Sequence, residues 1–534
     1  MPRVPSGAWA FGAIALVAAS CGREAAPPVP ENTAGSLGDA GGEARGGAGN
    51  VTGGADGETG GAGLATAGDG AGGTRPGQGG ATSAGGTSGS APRGGTGALE
   101  AGMAGVLEGG GAGTGTGGTG GTGGTAVTLD PGPCGFAVQA SISETISTVG
   151  IVTFSIEAGE VLSAHIDFGL DASYGLSAPV DPAEPEYRTL LLGMKPERDY
   201  HVRIVASTAD DECTSEDFSL TTGSLPSGLP TVTVTTANAA ALAGGYLVSS
   251  FLSKSRAFIL DADGDYVWWG GNVGIGRAEQ SFDGKWMWYQ NINVRGGAPV
   301  TGRLAMDGSL DERHAEFGDA HHDLTVLPDE TVAFIQHQGT CDAIMERAPD
   351  GTVREVVNVH EAHGGTTGCH TNSIHYHVSD DTYTFSDLNQ NAYVKVRRNG
   401  EVVWILGGDT STFTGDGVDW SRQHGHHLLA PDRLLFFSNG PVNGDSAAVE
   451  LSLDLDAMTA TRVWAYDALP VQSQIYGDVV RLENGNTLVA YSTAGQVVEL
   501  TPDGEIAQRL EWSPGGSIGY VQKRASLYGP PPTQ

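Results

Sequence analysis

Cations are scarce in this chain, with 28 Lys and Arg against 62 Asp and Glu and a formal net charge of −34. That balance excludes nucleic-acid binding, because contact with phosphates needs the opposite sign. It leaves open a small anionic substrate, which responds to local charge in a cleft. Cysteine is nearly absent, at five residues, and no CxxC or Cys/His zinc pattern occurs. Long apolar runs are missing as well. The run near the start, about Ala8 to Ala19, is too short to span a bilayer.

That short run is the first feature present. Arg3 precedes it, and small residues Ala18, Ala19 and Ser20 lead into Cys21, so residues 1–21 read as an export signal. Its end resembles a bacterial lipoprotein lipobox. This implies an acyl chain on Cys21 and tethering to a membrane surface, at the outer membrane or in the periplasm. An ordinary cleaved secretory signal is the alternative. Residues 22–126 are almost entirely Gly, Ala, Thr and Ser, as in GGAGTGTGGTGGTGGT. Such a segment has no apolar surface to offset the entropy of ordering and reads as a disordered spacer. Its root-mean-square reach would be about 50–60 Å.

Residues 127–226 show short alternating strands separated by turn signals, such as FAVQASIS, SAHIDFGL and YHVRIVAST, which predicts a β-sandwich. The stretch LLLGMKPERDYHVRIVAS resembles the tyrosine-corner strand of a fibronectin type III module, with Tyr200 as the corner residue. A spacer or docking role is expected of it. In residues 227–534 a two-hairpin unit recurs six times at roughly 40 to 55 residues, which is the period of propeller blades. The expected fold is therefore all-β: a small sandwich followed by a six-bladed β-propeller. In an exported chain the four cysteines after Cys21 suggest one disulfide per domain, Cys134 with Cys213 and Cys341 with Cys369.

Most of the fourteen histidines fall between His314 and His427, in the third to fifth units. His321 and His322, then His370, then His424 stand near the start of the first hairpin of consecutive units. If the first strand of each blade lines a central channel, these imidazoles meet at one mouth. Strand alternation lets only one of His321 and His322 face that channel. The same alternation puts Arg422 and His426 on the face of His424 and turns His427 away.

Three stretches, HHDLTVLPDETV, CHTNSIHY and WSRQHGHHLLAPDRLLFFSNG, resemble the histidine motifs of the bacterial arylsulfate sulfotransferases. The hairpin NGEVVWILGG resembles the one that follows the second motif. The resemblance implies sulfuryl transfer from a phenolic sulfate to another phenol, without a nucleotide donor or other cofactor, through a sulfohistidine. By motif, His424 is the nucleophile, and His322 and His370 exchange protons or bind the sulfuryl oxygens. Asn372 is a further donor and His321 the alternative to His322. A neutral imidazole is a competent nucleophile near pH 7. The family's arginine position is Leu388 here, with Arg422 or the neutral Asn389 as possible replacements.

Two other readings stay open. The H-x-H pairs His424/His426 and His375/His377, with Asp323, have zinc or copper ligand spacing, and the DADGD turn has weaker calcium character. A non-catalytic propeller displayed on the cell envelope is the other, favoured by Leu388.

Overall fold

The computed structural model describes residues 127–129, 133–210, 212–252, 256–271, 275–291, 300–365, 368–440, 444–513 and 516–530. The export segment with Cys21 and the spacer 22–126 lie outside these residues. The described chain is all-β, as the alternation predicts, with only short helical turns between strands. None of its helices is long and apolar enough to cross a membrane.

The first part is a pair of antiparallel sheets. One orders Val127–Leu129, Ala137–Ile142, Gly150–Ser155 and Thr189–Leu191. The other orders Gly175–Val180, Ser163–Gly169 and Asp199–Ser207, with Glu212–Thr214 and Phe218–Thr221 both paired to the last of these. Every second residue of Asp199–Ser207 is buried, so each sheet turns one apolar face inward. Phe136, Val138, Ile166, Phe168, Val202 and Ile204 fill the space between. The Cys134–Cys213 disulfide pins the turn before Ala137–Ile142 to Glu212–Thr214. Tyr200 Oη accepts the Lys195 N–H at 2.7 Å, five residues upstream. The Lys195 ammonium lies 3.0, 2.6 and 2.7 Å from Asp261, Asp263 and Asp265. It occupies the centre of the DADGD turn that was weighed above as a calcium site.

Six antiparallel sheets follow. Five have four strands, and their first strands in the second to fifth sheets are Ile275–Gln280, Ala320–Val326, Thr371–His377 and Gln423–Ala430. The two ends of this part interlock. Gln522–Arg524, from the C-terminal end, completes the first sheet beside Tyr246–Ser250, while Val232–Thr236 adds a fifth strand to the outer edge of the sixth. Tyr246–Ser250 is thus the second strand of its sheet. The exchange covers edges that would otherwise present unpaired N–H and C=O groups.

Polar bonds carry each sheet's leading strand to the next. Tyr520 N–H donates to Gly276 C=O at 2.9 Å, Val326 N–H to Glu279 at 3.1 Å and Ile374 N–H to Asp323 at 2.9 Å. Asn372 Nδ2 donates to Gln423 C=O at 2.8 Å and Gly425 N–H to Gly477 C=O at 3.0 Å. Val521 N–H then donates to Asp478 at 2.9 Å, which returns the circuit to the first sheet. The arrangement is propeller-like. Because these strands are packed on both faces, nearly all their residues are buried and clean alternation is lost.

Each of four consecutive leading strands is bulged close to its start. The extra residues are Gly276 in the second sheet, His322 and Asp323 in the third, Asn372 in the fourth, and one of His424 and Gly425 in the fifth. A bulge re-aims the side chains around it. These four kinks are what place the site.

Candidate active site

Backbone register shows how the histidines come together. Leu388 N–H donates to His370 C=O at 2.9 Å; the same bond joins His337 to Asp319 and Asn439 to Arg422, each at 3.1 Å. By that register Asp319, His370 and Arg422 are equivalent, so His322 stands three residues, and His424 two, beyond the position of His370. The histidines do not share a matched position, as the repeat suggested. The bulges make up the difference, helped by His322 in the left-handed region at φ 60°.

His322 Nε2 lies 3.4 Å from His370 Nε2, and their ring centroids are 5.0 Å apart. The Tyr476 ring is stacked 5.9 Å from His322 and 5.9 Å from His424. Its own hydroxyl, fully buried, has no hydrogen-bond partner among the described residues. Tyr520 packs against Tyr476 at 4.9 Å and donates its hydroxyl to the Asn372 carbonyl across the circuit. His424 is buried, whereas His322 and His370 are half-buried.

The tautomer of His424 follows from its neighbour. Asn439 Nδ2 donates to Ser473 C=O at 2.8 Å and to Tyr476 C=O at 2.7 Å. Its Oδ1 therefore faces His424 Nδ1, 2.6 Å away, and can only accept. His424 carries its proton on Nδ1 and keeps a bare lone pair on Nε2. Burial pushes its pKa down to about 3, and the charges of His370 and Arg422 act in the same direction. Burial, then His321, His370 and His424, hold His322 well below the ordinary imidazole value. His424 and His322 are neutral at pH 7 and suited to nucleophilic attack and proton exchange.

Beneath it lies a buried charge group. Arg277 is 3.0 Å from Glu279, 3.3 Å from Asp323 and 3.8 Å from Asp478. Burial pushes Asp323 up to about 7 and Asp478 up to about 6, against the pull of Arg277. Asp323, read above as a possible metal ligand, is instead bonded to Arg277 and to two backbone N–H groups.

The remaining sequence-predicted residues are placed as follows. His321 points toward Asp342 and His337. Asn372 gives one Nδ2 hydrogen to Gln423, and its Oδ1 has no partner among the described residues. Arg422 donates through Nη2 to Gln474 C=O at 2.7 Å, while its charge is felt at His424. Asn389 is exposed and donates to Gly368 C=O at 2.6 Å. Leu388 adjoins His370 through its backbone and brings no charge there.

His426 does not share the face of His424, because the bulge intervenes. It is held between Ser373 Oγ at 2.9 Å and Thr384 Oγ1 at 2.7 Å, within the packing of the fourth and fifth sheets. His427 accepts Arg481 N–H at 3.1 Å and lines a separate cavity of about 530 Å³ with Lys523 and Arg524. His377 bonds to Thr384 Oγ1 at 2.8 Å. His375 packs 4.9 Å from the His426 ring. Neither H-x-H pair forms part of a three-ligand cluster among the described residues; the His321, His337 and Asp342 group does.

Sequence reasoning missed Asn439, Tyr476, Tyr520, Asp342 and Arg277. Only Asn439 left a signal. The hairpin turn at Pro431–Asp432 pairs Gln423 with Ser438, which puts Asn439 opposite Arg422, two residues from His424. Tyr476 and Tyr520 come from connections far along the chain, where no periodicity announces them.

Residues 358–511 match the family model described as arylsulfotransferase (ASST). No curated protein matches. Among solved structures, TolB from Acinetobacter baumannii is 12% identical over 62% of this chain and 80% of that one, with a TM-score of 0.38. A streptogramin B lyase is 14% identical over 54% and 90%, with a TM-score of 0.36. Virginiamycin B lyase from Staphylococcus aureus is 15% identical over 52% and 88%, with a TM-score of 0.34. Overlaps this loose bear on neither chemistry nor blade count. The matched stretch carries His370, His424, Asn439 and Tyr476, and over residues 358–511 the chain is similar to the arylsulfotransferase family.

Proposed function

We propose that the protein transfers a sulfuryl group from an aryl sulfate to a phenol through a sulfohistidine at His424. The observation that carries this reading is the bare Nε2 of His424, fixed by Asn439 beside two further histidines. His424 Nε2 would attack sulfur while the S–O bond to the aryl group breaks. The electron pair leaves on the aryloxide oxygen, which takes a proton from solvent. A second phenol then gives its proton to His322 or His370, which releases it to solvent, and the phenol oxygen attacks sulfur. The S–N bond breaks and its pair returns to Nε2. Tyr476 Oη and the charge of Arg422 would steady the sulfuryl oxygens in place of the family's arginine at Leu388. The reading includes six sheets acting as blades of one propeller, supported by the closed circuit of bonds. It also includes a fibronectin type III-like sandwich, supported by the Tyr200–Lys195 bond, and anchoring of the exported chain at Cys21.

A chromogenic aryl sulfate with a phenol acceptor tests the reaction. Product should form with ping-pong kinetics, and His424→Ala should lower kcat by about 10⁴ or more. A non-catalytic envelope propeller is the second reading, favoured by the uncharged Leu388. It prevails if no phenol is released and mass spectrometry finds no sulfo adduct on His424.

A further inference from the structure

Behind His322 lies a set of polar groups that the reaction above leaves unused. His322 Nδ1 is 2.6 Å from His321 Nδ1, and His321 Nε2 is 3.3 Å from Asp342 Oδ1. The same carboxylate oxygen lies 3.0 Å from His337 Nδ1. Asp342 Oδ2 accepts Thr371 N–H at 2.8 Å. His321 and Asp342 are buried. Asp342 directly follows Cys341, whose disulfide partner Cys369 directly precedes His370. One covalent link therefore holds both ends of the line His370–His322–His321–Asp342 in place.

Proton accounting along that line has one neutral solution. Burial of Asp342 is outweighed by His321 and His337, which keep it ionised. Its contact with His321 Nε2 has ion-pair distance without hydrogen-bond alignment; a carboxylate this close still repels a lone pair, so His321 carries its proton on Nε2 and offers a lone pair at Nδ1. Two facing Nδ1 atoms need one donor, which must be His322. Its Nε2 is left bare toward the site and His370.

We propose that Asp342 is a positioning residue for the transfer: through His321 it sets the tautomer of His322 and balances the charge of the proton that His322 accepts and releases. This rests on the sulfuryl-transfer reading. When the acceptor phenol's O–H bond breaks, the proton goes to His322 Nε2, and His322 passes its Nδ1 proton to His321 Nδ1. His321 is then an imidazolium against the Asp342 carboxylate. The Nε2 proton then leaves for solvent as His322 Nδ1 recovers its own from His321, which restores the neutral line. In the donor half of the cycle the departing aryloxide takes one proton from solvent, so over the whole cycle none is gained or lost.

A metal bound by His321, His337 and Asp342 is the rival, since their ligand atoms lie within 4.8 Å of one another. The two imidazoles, however, are stacked 3.7 Å apart at 14°. In-plane lone pairs of parallel rings do not converge on one ion at about 2.0–2.1 Å. The charged and titratable groups facing His321 are Asp342, His337, His322 and His370; His424 and Tyr476 also face His322.

Imidazole ¹⁵N NMR on the full chain, paired with kinetics on a chromogenic aryl sulfate, tests the proposal. Wild type should show His322 protonated on Nδ1. Asp342→Asn, which can donate to His321, should move His322 to the Nε2–H tautomer. It should lower kcat by about a hundredfold or more with KM little changed, and displace the acid limb of the kcat profile. Asp342→Glu should restore part of both. Should Asp342→Asn fail to fold, His321→Gln, which leaves the Thr371 bond intact, should give the same kinetic loss. An unchanged tautomer or unchanged kcat in a folded variant overturns the proposal. So does zinc bound stoichiometrically by wild type, lost in Asp342→Asn, with activity tracking the metal. A wild type inert toward aryl sulfates would overturn the sulfuryl-transfer reading instead, and the tautomer measurement would then decide the role of Asp342.

Discussion

Tyr476 buries a hydroxyl that nothing described satisfies, and its ring is held between two histidines. Burial raises its pKa, so it stays a donor at any working pH. Leaving such a hydroxyl unpaired costs about 1–3 kcal/mol, which a site for sulfuryl oxygens would offset. Tyr476→Phe should therefore melt at the same or a higher temperature than wild type in calorimetry. Its kcat should fall by about a hundredfold, the loss seen when one oxyanion donor is removed. Tyr476, His322 and Arg422 all sit in the left-handed region, at φ 56°, 60° and 57°. Three non-glycine residues in that region around one point mark a strained site of the kind that function maintains.

Among elements, the bulged leading strands set the limit of what could be read in advance. The two-hairpin period made the strands legible, and the order of the histidine motifs identified the strands that matter. Facing could not be read, because alternation assumes an unbroken strand. For that reason His426 was expected beside His424 and lies instead against Ser373 and Thr384. Glycine marks two of the close approaches. A Cβ at Gly276 would collide with Tyr476 Oη, and one at Gly425 with the Asp478 carboxylate. Gly425→Ala should cost about 1–3 kcal/mol in urea melts and lower kcat as well, since His424 is the adjoining residue. Removing the Cys341–Cys369 link, which closes a separation of 28 residues, should cost about 3–4 kcal/mol by chain entropy. Paired Cys→Ala substitutions compared with wild type by denaturant midpoint check this.

For the molecule as a whole, acid should be destabilising. Burial holds His424 and His377 down at about 3 and His427 down at about 4, from an ordinary 6.5. The unfolded chain therefore binds protons first. Stability is complete above pH 6.5 and falls as pH drops toward those folded values, by about 1.4 kcal/mol per pH unit for each such histidine. Asp323 and Asp478 work the other way. Raised from 3.8 to about 7 and about 6, they contribute stability at low pH that is lost as pH rises through those values. Two carboxylates do not cancel the larger set of neutral histidines, which includes His322, His375 and His426. Urea midpoints at about pH 5 should lie below those at about pH 7.5.

The circuit of sheets also has a bearing on time. Gln522–Arg524, which follows every other described strand in the chain, completes the sheet begun at Tyr246–Ser250, and Tyr520 beside it braces the site. Pairing at so long a sequence separation is slow, because loop closure precedes any gain from contact. A nascent chain can fold its sandwich early, yet it holds no finished site until Tyr520 and Gln522–Arg524 have emerged and docked. Interrupted synthesis should yield inert fragments rather than weakened enzyme.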